Sequence, residues 1–286
     1  MTPGACARAP AAAAGATRSA EAAEVAAATT LHHVRDGSGP PLVLLSGIGM
    51  DGSAWRPVLG RLAPERDVWA VDLPGFGGSA AIEDGPCGIE ALTDAAEAFI
   101  TASGLERPHV AGNSLGGVVA LELARRGVVA SATALSPAGF GTWFEGRFAV
   151  LSLRASYAIA ARLRRSAPEL LRRPRVRRLL YGQLFAHAER LTPGEAYGHM
   201  CVMLDGAGFA PVLEAMDGYR FRGPLRSPAT IAWGTRDALL LPTEAFHARR
   251  ELPEARHLWL RGCGHVPMSD DPAQVARVLL EGSSGG

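Results

Sequence analysis

Six short apolar runs, each broken by a turn-forming residue within two positions of its end, constrain this 286-residue chain more than any other feature. They are Leu42–Leu45, Val68–Val71, Val110–Gly112, Ala132–Leu135, Ala229–Trp233 and His257–Leu260. Runs that are mainly apolar, rather than alternating, mark strands covered on both faces. Stretches of helical period separate them, Val118–Ala124 after the third and 272–280 after the last, with Pro272 in the first helical turn. Strands and helices in that alternation predict an α/β fold around a mostly parallel sheet. The rhythm fails between residues 140 and 226, where three helical stretches (147–165, 168–185 and 193–204) follow one another. That segment is expected to be a helical cap inserted between two strands. The resulting division is a core of 29–139 and 227–281, a cap of 140–226, an Ala-rich disordered tail over 1–28 and a flexible Gly/Ser tail over 282–286.

Composition excludes more than it selects. All 29 basic residues are arginine, so no lysine Schiff base can form. A net charge of +1 gives no general attraction to nucleic acid, and no apolar run approaches the eighteen residues of a membrane span. The Ala-rich start lacks the apolar centre of a secretory signal, so a cytoplasmic protein of unknown oligomeric state is expected. Cys6, Cys87, Cys201 and Cys263 contain no C-x-x-C pair, which leaves metal and redox motifs without support. Cys263, two residues before a histidine, is read as packing.

Gly112-Asn113-Ser114-Leu115-Gly116 places a G-x-S-x-G between a predicted strand and a predicted helix. Such a turn strains the serine backbone and holds its hydroxyl at a helix start, where free amides favour developing negative charge. The pattern alone is weak: Gly282, Ser284 and Gly286 repeat it where no strand precedes and no helix follows. Two further elements strengthen it. Asp237 follows the fifth run in Trp233-Gly234-Thr235-Arg236-Asp237, and His265 follows the last in Gly262-Cys263-Gly264-His265. The alternative for Asp237 is a turn or helix-capping aspartate. His109, His257 and the other histidines are read as surface or core residues. The order Ser, Asp, His is the one this strand arrangement requires. An oxyanion site needs two backbone donors. Leu115 offers one, and Ile48, in the glycine turn Ser46-Gly47-Ile48-Gly49-Met50, is expected to offer the other. Asp72, in DLPGFGGS, is read as a residue that locks turns.

Together SGIGMDGSAW, DLPGFGGS, GNSLGG, WGTRD and GCGHVPMSDDP resemble the α/β-hydrolase superfamily over about residues 31–280. The resemblance implies an eight-stranded sheet with helices on both sides, a cap over the pocket and no cofactor. It also implies a catalytic triad of Ser114, Asp237 and His265, with the Ile48 and Leu115 amides as oxyanion donors. One departure is Ser46-Gly47, where many members carry His-Gly. A serine nucleophile disfavours the dehalogenase and epoxide hydrolase branches, which use a carboxylate. The expected reaction is hydrolysis of a small-molecule carboxylic ester or thioester through an acyl-enzyme on Ser114. Carbon–carbon bond hydrolysis and a non-catalytic ligand-binding role are the alternatives. Ten arginines lie between Arg147 and Arg178 against one acid, Glu169. They read either as a solvated, snorkelling helix face or as attraction for an anionic substrate, carrier protein or acidic surface.

Overall fold

The computed structural model describes residues 31–82 and 87–284. The expected disordered tail over 1–28 lies outside them. Seven strands form one sheet in the order β1-β3-β2-β4-β5-β6-β7. They are β1 (His33–Gly37), β2 (Pro41–Leu45), β3 (Asp67–Val71), β4 (His109–Asn113), β5 (Ser131–Leu135), β6 (Ala229–Gly234) and β7 (Arg256–Leu260). All pairs are parallel except β1 with β3, whose register sets His33 opposite Val71. The sheet is therefore mostly parallel, as expected. It has seven strands rather than eight among the described residues, because a single strand rather than a hairpin precedes β2 at the antiparallel edge.

Residues of β3 and β5 are buried throughout, and so are four of the five in β2. That burial explains their unbroken apolar runs, since helices cover both faces of the sheet. Two apolar clusters fill the spaces, one around Val43, Val110, Val118 and Leu121, the other around Leu42, Leu44, Trp55 and Val275. The covering helices include α1 (Arg56–Leu62), α2 (Ile89–Ala102), α3 (Leu115–Arg126) and, after the sheet insertion, α9 (Thr243–Glu251), α10 (Pro267–Asp270) and α11 (Pro272–Gly282).

Between β5 and β6 lie α4 (Trp143–Leu163), α5 (Ala167–Leu170), α6 (Pro174–Tyr181), α7 (Pro193–Asp205) and α8 (Phe209–Ala215). Thr142 and Glu145 cap α4 reciprocally, and Thr192 with Glu195 does the same for α7. The single helix expected over 168–185 is two. Pro174 has no N–H and disfavours helical backbone in the residue before it, and Arg173 accordingly sits at φ −86°, ψ 118°. Helix α8 was not anticipated from the sequence.

Of the flexible tail expected over 282–286, residues 282–284 are held in place and 285–286 lie outside the described residues. Gly282 closes α11, and Arg66 donates from Nε to Ser283 Oγ at 3.0 Å and from Nη2 to Ser284 Oγ at 3.0 Å. Ser284, in the second G-x-S-x-G, thus follows a helix and braces an arginine. No helix among the described residues is long and apolar enough to cross a membrane.

Candidate active site

Every residue singled out for chemistry lies just beyond the carboxyl end of a parallel strand, where open α/β sheets bind ligands. Ser114 follows β4, Asp237 follows β6 and His265 follows β7. Strands β2 and β4 pair with Leu45 opposite Gly112, which sets the Ser46–Met50 loop beside Ser114.

Ser114 holds φ 56° and ψ −112°, a conformation rare for a residue with a Cβ. The chain can make this turn only because its neighbours are small. A Cβ on Gly112 would stand 2.0 Å from the Gly116 carbonyl oxygen, and one on Gly116 would stand 2.1 Å from that of Leu45. Gly116→Ala is therefore expected to cost about 3 kcal/mol through forced separation of α3 from β2. Thermal melts of the purified variant check this, and an unchanged Tm would show the approach to be loose.

Asp237 and His265 are both buried, and His265 Nδ1 lies 2.8 Å from Asp237 Oδ2. The other carboxylate oxygen accepts the amides of Leu239 and Leu240, each at 2.9 Å, so the group is fixed at both ends. With Nδ1 engaged, Nε2 is the imidazole nitrogen left to the cavity. Ser114 and His265 line the same small chamber, of about 40 Å³, together with Gly47, Ile48 and His199. Ser114 also lines an adjoining cavity of about 130 Å³ with Ile48 and Leu115. Leu115 is the first residue of α3, whose opening amides have no intrahelical acceptor. Among the described residues, neither the Ile48 nor the Leu115 amide donates to a protein acceptor. The structure thus brings together all five residues named from the sequence.

Several supporting groups were not recognised from the sequence. Asn113 donates from Nδ2 to the carbonyl of His265 at 2.8 Å and to that of Leu135 at 3.0 Å, tying the serine turn to the histidine loop. Asp270 accepts the amides of Gly264 (2.8 Å), Ala186 (3.0 Å) and His187 (2.9 Å), joining the histidine loop to the segment after α6. Asp270 stands in SDDP, but nothing in the spacing tells which acid faces inward. His199 lines the chamber from α7, and burial pushes its imidazole below the ordinary range, so it is neutral at pH 7.

Glu244, 1% exposed, lines the larger cavity and accepts the Leu241 amide at 3.2 Å. Burial, then the charges of Glu145 and Asp237, push its carboxyl up to about 8. Glu145 behaves oppositely. Burial works against its charge, but hydrogen bonds from Thr243 and Thr142 hold it below the usual carboxylate range.

The remaining polar residues have structural roles. Asp72 accepts Gly52 N at 2.6 Å and Gly78 N at 2.8 Å, and its Oδ2 lies 2.8 Å from His32 Nδ1, so it locks two turns. Ser46, at the departure from His-Gly, donates to the Asp51 carbonyl at 2.7 Å and closes its loop internally. His109 meets Ser131 Oγ, and His257 meets the Leu252 carbonyl. Burial, reinforced by Asp270 and Asp271, pushes the Cys263 thiol up to about 12, which removes it as a nucleophile at neutral pH.

This sheet order, with the serine on its strand-to-helix turn, defines the α/β-hydrolase fold. A model of the alpha/beta hydrolase family matches residues 42–278, and the chain belongs to that family and is a hydrolase. It is 32% identical over 254 residues to the dihydrolipoyllysine-residue acetyltransferase component of the acetoin cleaving system of Pseudomonas putida. That match covers 85% of this chain but only 63% of the relative's length. A pimeloyl-[acyl-carrier protein] methyl ester esterase of Aeromonas hydrophila is 41% identical over 90 residues, 32% of this chain and 34% of that one. Among solved structures, a bacterial membrane phospholipase A superposes with a TM-score of 0.69 at 25% identity, covering 96% of this chain and 93% of that one.

Proposed function

We propose that the protein hydrolyses a carboxylic ester or thioester through an acyl-enzyme on Ser114. The observation that carries the reading is the buried 2.8 Å contact between Asp237 and His265, with His265 and Ser114 lining one chamber. His265 takes the Ser114 proton through Nε2 as Oγ attacks the acyl carbon, and Asp237 stabilises the imidazolium. The Ile48 and Leu115 amides receive the oxyanion. His265 then returns the proton to the leaving oxygen or sulfur and activates the water that releases the acid.

The helices between β5 and β6 act as the cap. Val150, Leu153, Leu213, Met216 and Leu240 give the larger cavity an apolar wall, which suits an apolar acyl chain. An ester is favoured over a carbon–carbon bond by the relative from Aeromonas, whose name describes a methyl ester esterase. A fluorophosphonate probe tests the reading. The expected result is a covalent adduct on the peptide carrying Ser114, with fluoride displaced, and no adduct when the protein is denatured before the probe is added. A folded protein that the probe leaves unlabelled would overturn the acyl-enzyme mechanism.

A further inference from the structure

Among the described residues nine large apolar side chains are exposed, and six of them are on α4 and α6. Phe144, Phe148, Leu151 and Ile159 recur at spacings of four, three and eight along α4, which keeps them on one stripe of a helix. Ile159 and Leu179 of α6 line the same surface cavity, of about 300 Å³, so both helices contribute to one face. An ordinary solvated helix would turn polar residues outward at these positions. Here Phe144 is 77% exposed and Leu179 is 83% exposed.

The charge on this face is one-sided. Of the ten arginines from Arg147 to Arg178, three pair with carboxylates: Arg147 with Asp217, Arg164 with Asp205 and Arg172 with Glu169. Arg177 is buried against backbone carbonyls. The other six have no carboxylate partner among the described residues. Arg154 flanks the α4 stripe, and Arg175 lies one turn before Leu179 on α6. An apolar stripe edged with arginine matches the interface of an anionic bilayer, apolar below and negative at the headgroups. A second copy of the chain fits poorly, because a two-fold interface would set the same arginines against each other.

From these observations we infer that the α4–α6 face docks on an anionic phospholipid bilayer, lying on it rather than spanning it. The cavities agree with that orientation. The one that opens beside Ile159 and Leu179 shares Leu153, Tyr181, Leu184 and Met203 with the Ser114 chamber, so these four side chains stand between the docked face and the serine.

The test is co-sedimentation of the full chain with phosphatidylcholine vesicles and with vesicles of phosphatidylcholine and phosphatidylglycerol. It reads binding, so it is independent of whether Ser114 is the nucleophile. Wild type should sediment with the anionic vesicles only, and less so as salt rises. Phe144→Ser or Phe148→Ser should lower the partition coefficient about ten-fold, and Arg154→Gln or Arg175→Gln roughly five-fold. All four sites are exposed, and Tm and hydrolysis of a soluble short-chain ester should be unchanged. Absence of wild-type binding, equal binding to both vesicles, or variants that bind as wild type would each overturn the inference. So would a wild-type dimer that Phe144→Ser converts to monomer, since the face would then belong to a second copy.

Discussion

Ser114→Ala is expected to lower kcat by roughly a millionfold, about 8 kcal/mol of barrier, while the melting temperature stays where it was. The size follows from the proposed roles. Without Oγ no acyl-enzyme forms, His265 has no proton to take, and only the Ile48 and Leu115 amides can still favour the oxyanion. The unchanged stability follows from the backbone. Alanine keeps the Cβ, so the strain at φ 56° is neither relieved nor increased. Ser114→Gly separates the two effects. It should be equally inactive yet more stable by about 1 kcal/mol, because glycine adopts positive φ freely. Single-turnover assays with an activated ester, beside thermal melts of both variants, measure this. Ester hydrolysis by Ser114→Ala at close to the wild-type rate would remove Ser114 from the nucleophile's place. A melting temperature for Ser114→Gly equal to that of wild type would show that the turn is not strained.

The residues legible in the sequence share one property: each sits at a fixed offset from a strand end. Ser114, Asp237 and His265 follow short apolar runs, and a parallel sheet brings the ends of its strands to one edge regardless of loop lengths. The same logic located Ile48 and Leu115. What the sequence hid depends on contacts across long separations. Asn113 reaches the backbone of His265 over 152 positions, and Arg66 reaches Ser283 over 217, which turned an expected loose end into a brace. Local patterning carries no signal for either. The inserted helices were legible as helices but not in their divisions. Pro174 would have allowed the break between α5 and α6 to be placed, whereas α8 is a short helix begun by Gly208 with no side-chain cap. The arginine-rich stretch shows the opposite limit. Its charge was plain in the sequence, but the outward direction of Phe144, Phe148 and Leu151 was not, and that direction decides between a solvated face and a docking one.

Glu244→Gln is expected to change the pH dependence of stability more than any other conservative substitution in the site. The carboxyl ordinarily titrates near 4.5, and in the folded protein it is pushed up to about 8. Opposing effects compete there. Burial and the charges of Glu145 and Asp237 favour the neutral form, while the Leu241 amide and Arg220 favour the anion. As the second residue of α9, Glu244 also gains from the helix-start field, but that is worth about 0.5 kcal/mol. Desolvation wins. Between about 4.5 and 8 the unfolded chain releases a proton that the folded chain keeps, so stability falls as pH rises through that window and levels off above it. A rise from 4.5 to about 8 corresponds to roughly 5 kcal/mol across the window, at about 1.4 kcal/mol for each tenfold change in proton affinity. Glutamine matches the neutral acid in shape and can still accept the Leu241 amide, but it does not titrate. Wild type and Glu244→Gln should therefore be equally stable near pH 4, and the variant should gain progressively up to pH 9. Urea unfolding at a series of pH values gives the difference directly. Parallel curves for the two proteins would mean that Glu244 ionises as readily in the cavity as in water, and that the polar end of the pocket is an anion instead of a hydrogen-bond donor.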